Sequence, residues 1–224
     1  MAHENHEPLD CILFAEVMYD KKNGISGENI KHIEFIKTVA KPLFESWGYE
    51  FRIVRAEMDF LDMFHRRIQR PTKHMEHKGL KFGFPVTGHC GVKRDCKERP
   101  IRSFLCGLNE PVVQYVGIAA DEPNRLFSLH KHQGKVSLLE KYGYTQDMAR
   151  RKCQEYGLLS PGYELSGRGG CWFCPFAKEK EQAFVKKRYP DVWNSFVALE
   201  SEMDVANCRW NVYGPTLKER DAAI

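Results

Sequence analysis

Two segments lying far apart in this chain carry cysteines in pairs: "GHCGVKRDC" holds Cys90 and Cys96, and "RGGCWFCPF" holds Cys171 and Cys174. If both pairs serve one centre, every element between them must fold so that the two segments meet, and few topologies allow that. Both segments are glycine-rich and lack helical or strand periodicity, so packing alone gives these cysteines little reason to be there. Four thiolates fill one tetrahedral metal site or hold one iron–sulfur cluster. The alternatives are a redox pair, or cysteines that are incidental or simply buried. Of the remaining thiols, Cys11 and Cys106 lie in apolar runs and are expected in the core. Cys153 falls within a predicted helix with no assigned role, and Cys208 in "ANCRW" is expected to be partly buried.

The compartment bears on this choice. No apolar run approaches the ~20 residues of a membrane span, and "MAHENHEPLD" has no apolar core of a signal peptide. A cytoplasmic location is therefore expected, with no membrane partner. In that reducing setting eight cysteines read as metal ligands, catalytic thiols or small buried residues rather than disulfides. Apolar residues at 42% and charged residues at 29% are ordinary for a globular protein. The net charge of +4 carries meaning only where it clusters. It does so in "FHRRIQRPTKHMEHKGLKFG" (64–83), a candidate nucleic-acid contact or else a solvated insertion.

Patterning along the chain predicts α/β alternation. "CILFA" (11–15) has the near-continuous apolar character of a strand buried on both faces. Ile30, Ile33, Ile36 or Lys37, Ala40, Leu43, Phe44 and Trp47 recur at helical spacing, and Gly48 stops that helix. "FRIVRA" (51–56) predicts a second strand and 57–68 a short helix. Residues 69–98 have no clean period and are expected to be an irregular insertion. Pro100 suits the first turn of a helix running through Leu105. "PVVQYVGIAA" (111–120) is the clearest strand, Thr145 is the N-cap of a helix ending at Gly157, and 178–203 is expected to be mostly helical. Strand–helix–strand order predicts a Rossmann-like parallel sheet with helices on both faces, in a single domain. Its parts are an α/β core over 8–126, a helix and cysteine-pair loop over 127–177, and a helical extension over 178–224.

Taken in order, "CKERPIRSFL" (96–105), "YVGIAADEPNRL" (115–126), "YGYTQDMARRKCQEYGLLSPGYE" (142–164) and "RGGCWFCPF" resemble the phosphoadenosine phosphosulfate (PAPS) reductase family. That family belongs to the adenine nucleotide α-hydrolase-like group, and the resemblance covers roughly residues 8–180. It implies a sheet whose strand ends bind an adenylylated substrate, and oxidoreductase or transferase chemistry in sulfur metabolism. It also implies that Cys90, Cys96, Cys171 and Cys174 hold an iron–sulfur cluster. Ligand count does not separate zinc from iron–sulfur, but the proline directly after Cys174 tips the reading to [4Fe–4S], with zinc as the alternative. "GIAADEPNR" is similar to the family's G-I-R-x-D-E-S-x-R, which makes Asp121, Glu122 and Arg125 candidate substrate contacts at a carboxyl strand end. Arg125 could take a phosphate or sulfate bidentately, or could merely pair with a neighbouring carboxylate to order the loop. Lys97, in the family's K-x-x-P, and Arg168, just before the cysteines, are further candidate anion contacts.

Two departures from the family pattern restrict the activity that the resemblance implies. The S-G-G-x-D-S loop that cradles phosphate is missing from the sequence, and "MAHENHEPLD" resembles the tail of the helix that should come after that loop. The chain is thus expected to begin one strand, one loop and most of one helix late. Adenine nucleotide or sulfonucleotide binding should then be weak, and the first strand should have an edge open to self-association. "ANCRWNVYG" also lacks the family's catalytic E-C-G-[IL]-H, so Cys208 is not expected to act as a nucleophile. The alternatives to an enzyme are a degenerate homologue without nucleotide chemistry and a nucleic-acid-associated module.

Overall fold

A computed structural model describes residues 1–85, 90–166 and 170–224 of the chain, with the backbone alone at residues 165 and 166. The apolar run at 11–15 forms strand β1 (Cys11–Ala15). A small antiparallel pair comes next, β2 (Met18–Asp20) with β3 (Ile25–Ser26). The chain then runs helically through α1 (Ile30–Phe35), a π-helical turn at Ile36–Ala40 and α2 (Lys41–Ser46). Asn29 caps the start by accepting from the His32 N–H at 3.3 Å, and Gly48, at φ +87°, turns the chain out of it. Strand β4 (Glu50–Val54) returns to pair in parallel with β1, Cys11 opposite Glu50 and Ala15 opposite Val54. This is the strand–helix–strand order that the patterning predicts.

Helix α3 (Phe60–His65), closed by a reciprocal Asp59–Asp62 capping box, is shorter than the expected 57–68. The stretch 69–98 is not irregular throughout. It contains a 3-10 turn at Met75–His77 and strand β5 (Lys81–Gly83), and from Gly91 it is helical, through a π turn at Lys93–Glu98 into α4 (Arg99–Cys106). Pro100 therefore lies inside a longer helix rather than in its first turn. Proline removes a helical hydrogen bond and crowds the preceding turn. The widened π turn just before Pro100 accommodates that, and a second π turn precedes Pro42 in the same way.

The expected strand 111–120 is reduced to β6 (Gln114–Tyr115). Its neighbour Val113 is 61% exposed, whereas Ile118 and Ala119 are buried, Ile118 in a small cluster with Leu126 and Leu129, so only the far end of the apolar run is covered. Helix α5 (Pro123–Leu129) comes after it, then β7 (Lys135–Val136), which pairs in parallel with β6. Next come α6 (Leu138–Lys141) and α7 (Gln146–Glu155), the latter capped by Thr145, which accepts from the Met148 N–H at 3.3 Å. The C-terminal third holds α8 (Gly162–Ser166), α9 (Glu179–Arg188), α10 (Pro190–Ala198), β8 (Val205–Asn207) in parallel with β5, and α11 (Leu217–Ala223). The architecture is mixed α/β, with strands paired two by two in small sheets that are mostly parallel. Among the described residues no helix is long and apolar enough to cross a membrane.

One aromatic-rich core joins distant segments. Tyr19, Phe60, Phe64 and Phe84 from the first half pack with Trp172, Phe173, Trp193, Phe196 and Trp210 from the second. Tyr19 lies 4.7 Å from Trp172 and Phe60 lies 4.3 Å from Phe173, centroid to centroid. The residues after 178 thus contribute side chains to the central core rather than forming an appendage.

Candidate metal centre

The "CWFC" turn is anchored by the two residues between its cysteines. Trp172 and Phe173 are 1% and 3% exposed, so the aromatic pair points into the core while the cysteines stay half-buried. The Trp172 indole N–H donates to the Ser26 carbonyl at 2.9 Å, and the Trp210 indole N–H donates to the Phe173 carbonyl at 2.8 Å. Backbone bonds then seat the turn against residues 27–29. The Trp172 N–H donates to Gly27 O at 3.0 Å, the Asn29 N–H donates to Gly170 O at 3.1 Å, and Glu28 and Cys171 form an antiparallel bridge. Gly27 has no side chain because there is no room for one: a Cβ there would lie 2.6 Å from the Phe173 ring.

The other pair sits on the helix that leads into α4. Cys90 occupies its start, where its carbonyl accepts from the Arg94 N–H at 3.2 Å and its Sγ accepts from the Lys93 N–H at 3.4 Å. Cys96 lies on the π turn, 1% exposed among core side chains, and burial first, then the Asp95 carboxylate, pushes its thiol up to about 12. Burial likewise pushes the Cys171 thiol well above its ordinary value, with further contributions from Glu28, Cys174 and Cys90.

Lys97 and Glu28 complete this neighbourhood. The Lys97 Nζ lies 3.9 Å from Glu28 Oε1, and Glu28 is buried, which pushes its carboxyl up against the opposing pull of Lys97. Glu28 carries no motif that would mark it in the sequence. The aromatic pair between the cysteines is a legible signal of anchoring, and the cysteine spacing alone does not draw attention to it.

The other candidate substrate contacts lie apart from this group. Arg125 pairs with Glu122 at 2.5 Å, Glu122 also accepts from the Ala119 N–H at 3.0 Å, and Asp121 accepts from the Gln146 N–H at 3.0 Å at the start of α7. Among the described residues no hydrogen bond or ion pair ties these three to the cysteines. Arg168 lies outside the described residues. Cys106 and Cys208 are exposed rather than buried, Cys106 because it ends α4, while Cys11 and Cys153 are half-buried.

The donor set suits a thiophilic metal, and its spacing bears on which one. Around a single zinc, with bonds of about 2.3 Å, tetrahedral geometry sets the sulfurs about 3.8 Å apart. No three of the four cysteine sulfurs lie mutually within 4.8 Å, whereas His74, Glu76 and His77 on the 3-10 turn place one ligand atom each within that limit. The four cysteines therefore do not form a compact ligand group in the structure. Comparison of the chain with protein-family models, with curated proteins and with solved structures finds no match.

Proposed function

We propose that the chain is a Rossmann-like protein of the PAPS reductase kind, in which Cys90, Cys96, Cys171 and Cys174 hold a metal centre, a [4Fe–4S] cluster in preference to zinc. The chemistry it serves is nucleotide-dependent sulfur transfer or reduction. The observation that carries this reading is the seating of the "CWFC" turn. Core insertion of Trp172 and Phe173, with the backbone bonds to residues 27–29, seats Cys171 beside Glu28, whose carboxylate lies 3.9 Å from Lys97. A cluster bound there would supply redox capacity or fixed charge. Lys97, paired with a carboxylate held up by burial, would be the cation presented to an anionic substrate beside it.

A second reading keeps the metal centre but not the nucleotide chemistry, and one observation favours it. Asp121, Glu122 and Arg125 are committed to one another and to a helix start, which leaves no unpaired cation in that motif for a phosphate.

Metal content after anaerobic purification tests the reading. The expected result is brown protein holding iron and acid-labile sulfide, with Cys171→Ser lowering both metal content and Tm, because a site absent from the unfolded chain contributes its binding energy to folding. Protein that stays metal-free after reconstitution with iron and sulfide, or with zinc, would overturn it. Calorimetric titration with PAPS and ATP separates the two functional readings.

A further inference from the structure

A cavity of about 640 Å³ opens beside α3 and β5, and Arg66, Arg67, Arg70, Lys73 and Arg94 line it. No Asp or Glu lines it among the described residues. The chain carries a net +4, so five cations in this one wall leave the rest of the molecule at −1. A concave wall of one sign focuses the field and raises the local concentration of anions.

The flanks of the basic segment are tied into the fold, while Arg70 and Lys73 between them are exposed. The Phe82 N–H donates to Arg66 O at 2.9 Å, the Ile68 N–H to Leu80 O at 2.9 Å, and the Gly79 N–H to Ile68 O at 2.8 Å. The Arg67 guanidinium donates to Gly79 O at 2.6 Å, and Asn207 of β8 donates to Phe82 O at 2.8 Å, which ties this wall to the C-terminal part of the chain. Neutralisation within the wall is partial. Asp95 takes Arg94 through bonds of 2.7 and 2.9 Å and lies 3.9 Å from Arg66. Arg67, Arg70 and Lys73 have no carboxylate partner among the described residues. These cations are exposed, so their mutual repulsion is largely screened by water and salt, and they stay available to an anion from outside.

We propose that this cavity binds the phosphate backbone of a nucleic-acid strand. Its volume is that of a small-molecule site, about 300–1,000 Å³, so it accommodates a nucleotide or two of a strand rather than a double helix. The three unpaired cations come from separate positions along 67–73, an arrangement that suits successive single charges of a phosphodiester chain. A compact triphosphate is more often met by converging backbone N–H groups at a glycine-rich loop. This inference is independent of the cysteine centre.

Fluorescence anisotropy of a labelled single-stranded oligonucleotide, titrated with the full chain over a range of salt, tests it. With three phosphates neutralised, the log–log dependence of affinity on salt should have a slope of about −2, taking roughly 0.7 per phosphate on a single strand. Arg70→Ala with Lys73→Ala should lower that slope to about −0.7 and weaken binding at least about tenfold at low salt. Lys187→Ala, an exposed cation on α9, should change the affinity only marginally. Thermal melting of each variant separates lost contacts from lost fold, and the charge reversals Arg70→Glu and Lys73→Glu provide a second, stronger pair. No binding at low salt would overturn the proposal, as would equal affinity and slope in the double variant. Saturable binding of ATP or inorganic phosphate through Arg70 and Lys73, with no binding of the strand, would overturn it too.

Discussion

Glu16 stands where the parallel pair meets the helix packed beside it, and it is almost wholly buried. Its carboxylate accepts from Lys37 at 3.1 Å and from Arg55 at 2.8 Å, while its N–H donates to Val54 O at 2.9 Å. Burial alone would raise its pKa, but the Arg55 and Lys37 contacts outweigh that and hold the carboxyl below its ordinary value of 4.5. A depressed folded pKa means a stabilisation that is present above pH 4.5 and is lost as pH falls through the folded value. Glu16→Gln should therefore cost about 2 kcal/mol at neutral pH, or roughly 4–8 °C in Tm. The gap to wild type should close as pH drops below 4.5, and a gap that stays constant from neutral pH into that range would remove the charge from the account. Sequence reading reaches the residue scale unevenly. Thr145 as an N-cap and Gly48 as a helix stop arise from local chemistry and stand as expected. The pairing of Lys97 with Glu28 needs a contact between segments distant in sequence, which no local rule supplies.

At the scale of elements, the two prolines and the cysteine turn show where periodicity stops being informative. Pro42 and Pro100 each come after a π turn, so two helices run through positions where a local rule places a break or a beginning. The "CWFC" turn has no period to read because its order comes from the segment it lies against. Gly27 sets how closely that segment approaches, and Gly27→Ala would put a methyl 2.6 Å from the Phe173 ring and 3.2 Å from Val17 O. A ring held in the core has little room to yield, so the variant should lose about 1–3 kcal/mol, within the usual range for overpacking. If the turn carries a metal centre, metal content should fall in the same variant. A wild-type Tm for Gly27→Ala would mean that the turn is not seated on residues 27–29 as described.

For the molecule as a whole, strand–helix–strand order is legible at the N-terminal end, where β1 and β4 pair in parallel around the helix that joins them. The strand expected over 111–120 is much shorter than its apolar pattern suggests. An apolar run predicts a full strand only if a neighbouring layer covers it, and Val113 stays exposed here. The contribution of the last residues to the central core is hidden for a related reason: Phe196 packs against Tyr19, Phe60 and Phe84 of the first hundred residues, and Trp193 and Trp210 pack against Phe196. The same strand pairing carries one more expectation. Among the described residues β1 pairs with β4 alone, so the other edge of this short parallel sheet presents backbone donors and acceptors without a strand partner. Such an edge is a template for pairing with another chain unless charge or a bulge blunts it, and β1 reads Cys-Ile-Leu-Phe-Ala without a charge or a proline. We expect reversible association that deepens with concentration, seen as a rising sedimentation coefficient across a hundredfold dilution series. Hydrogen exchange at residues 11–15 should slow in step with it, because strand addition protects the amides of the edge it uses. A sedimentation coefficient that stays at the monomer value, with exchange at 11–15 independent of concentration, would mean that the β1 edge is covered within the chain itself.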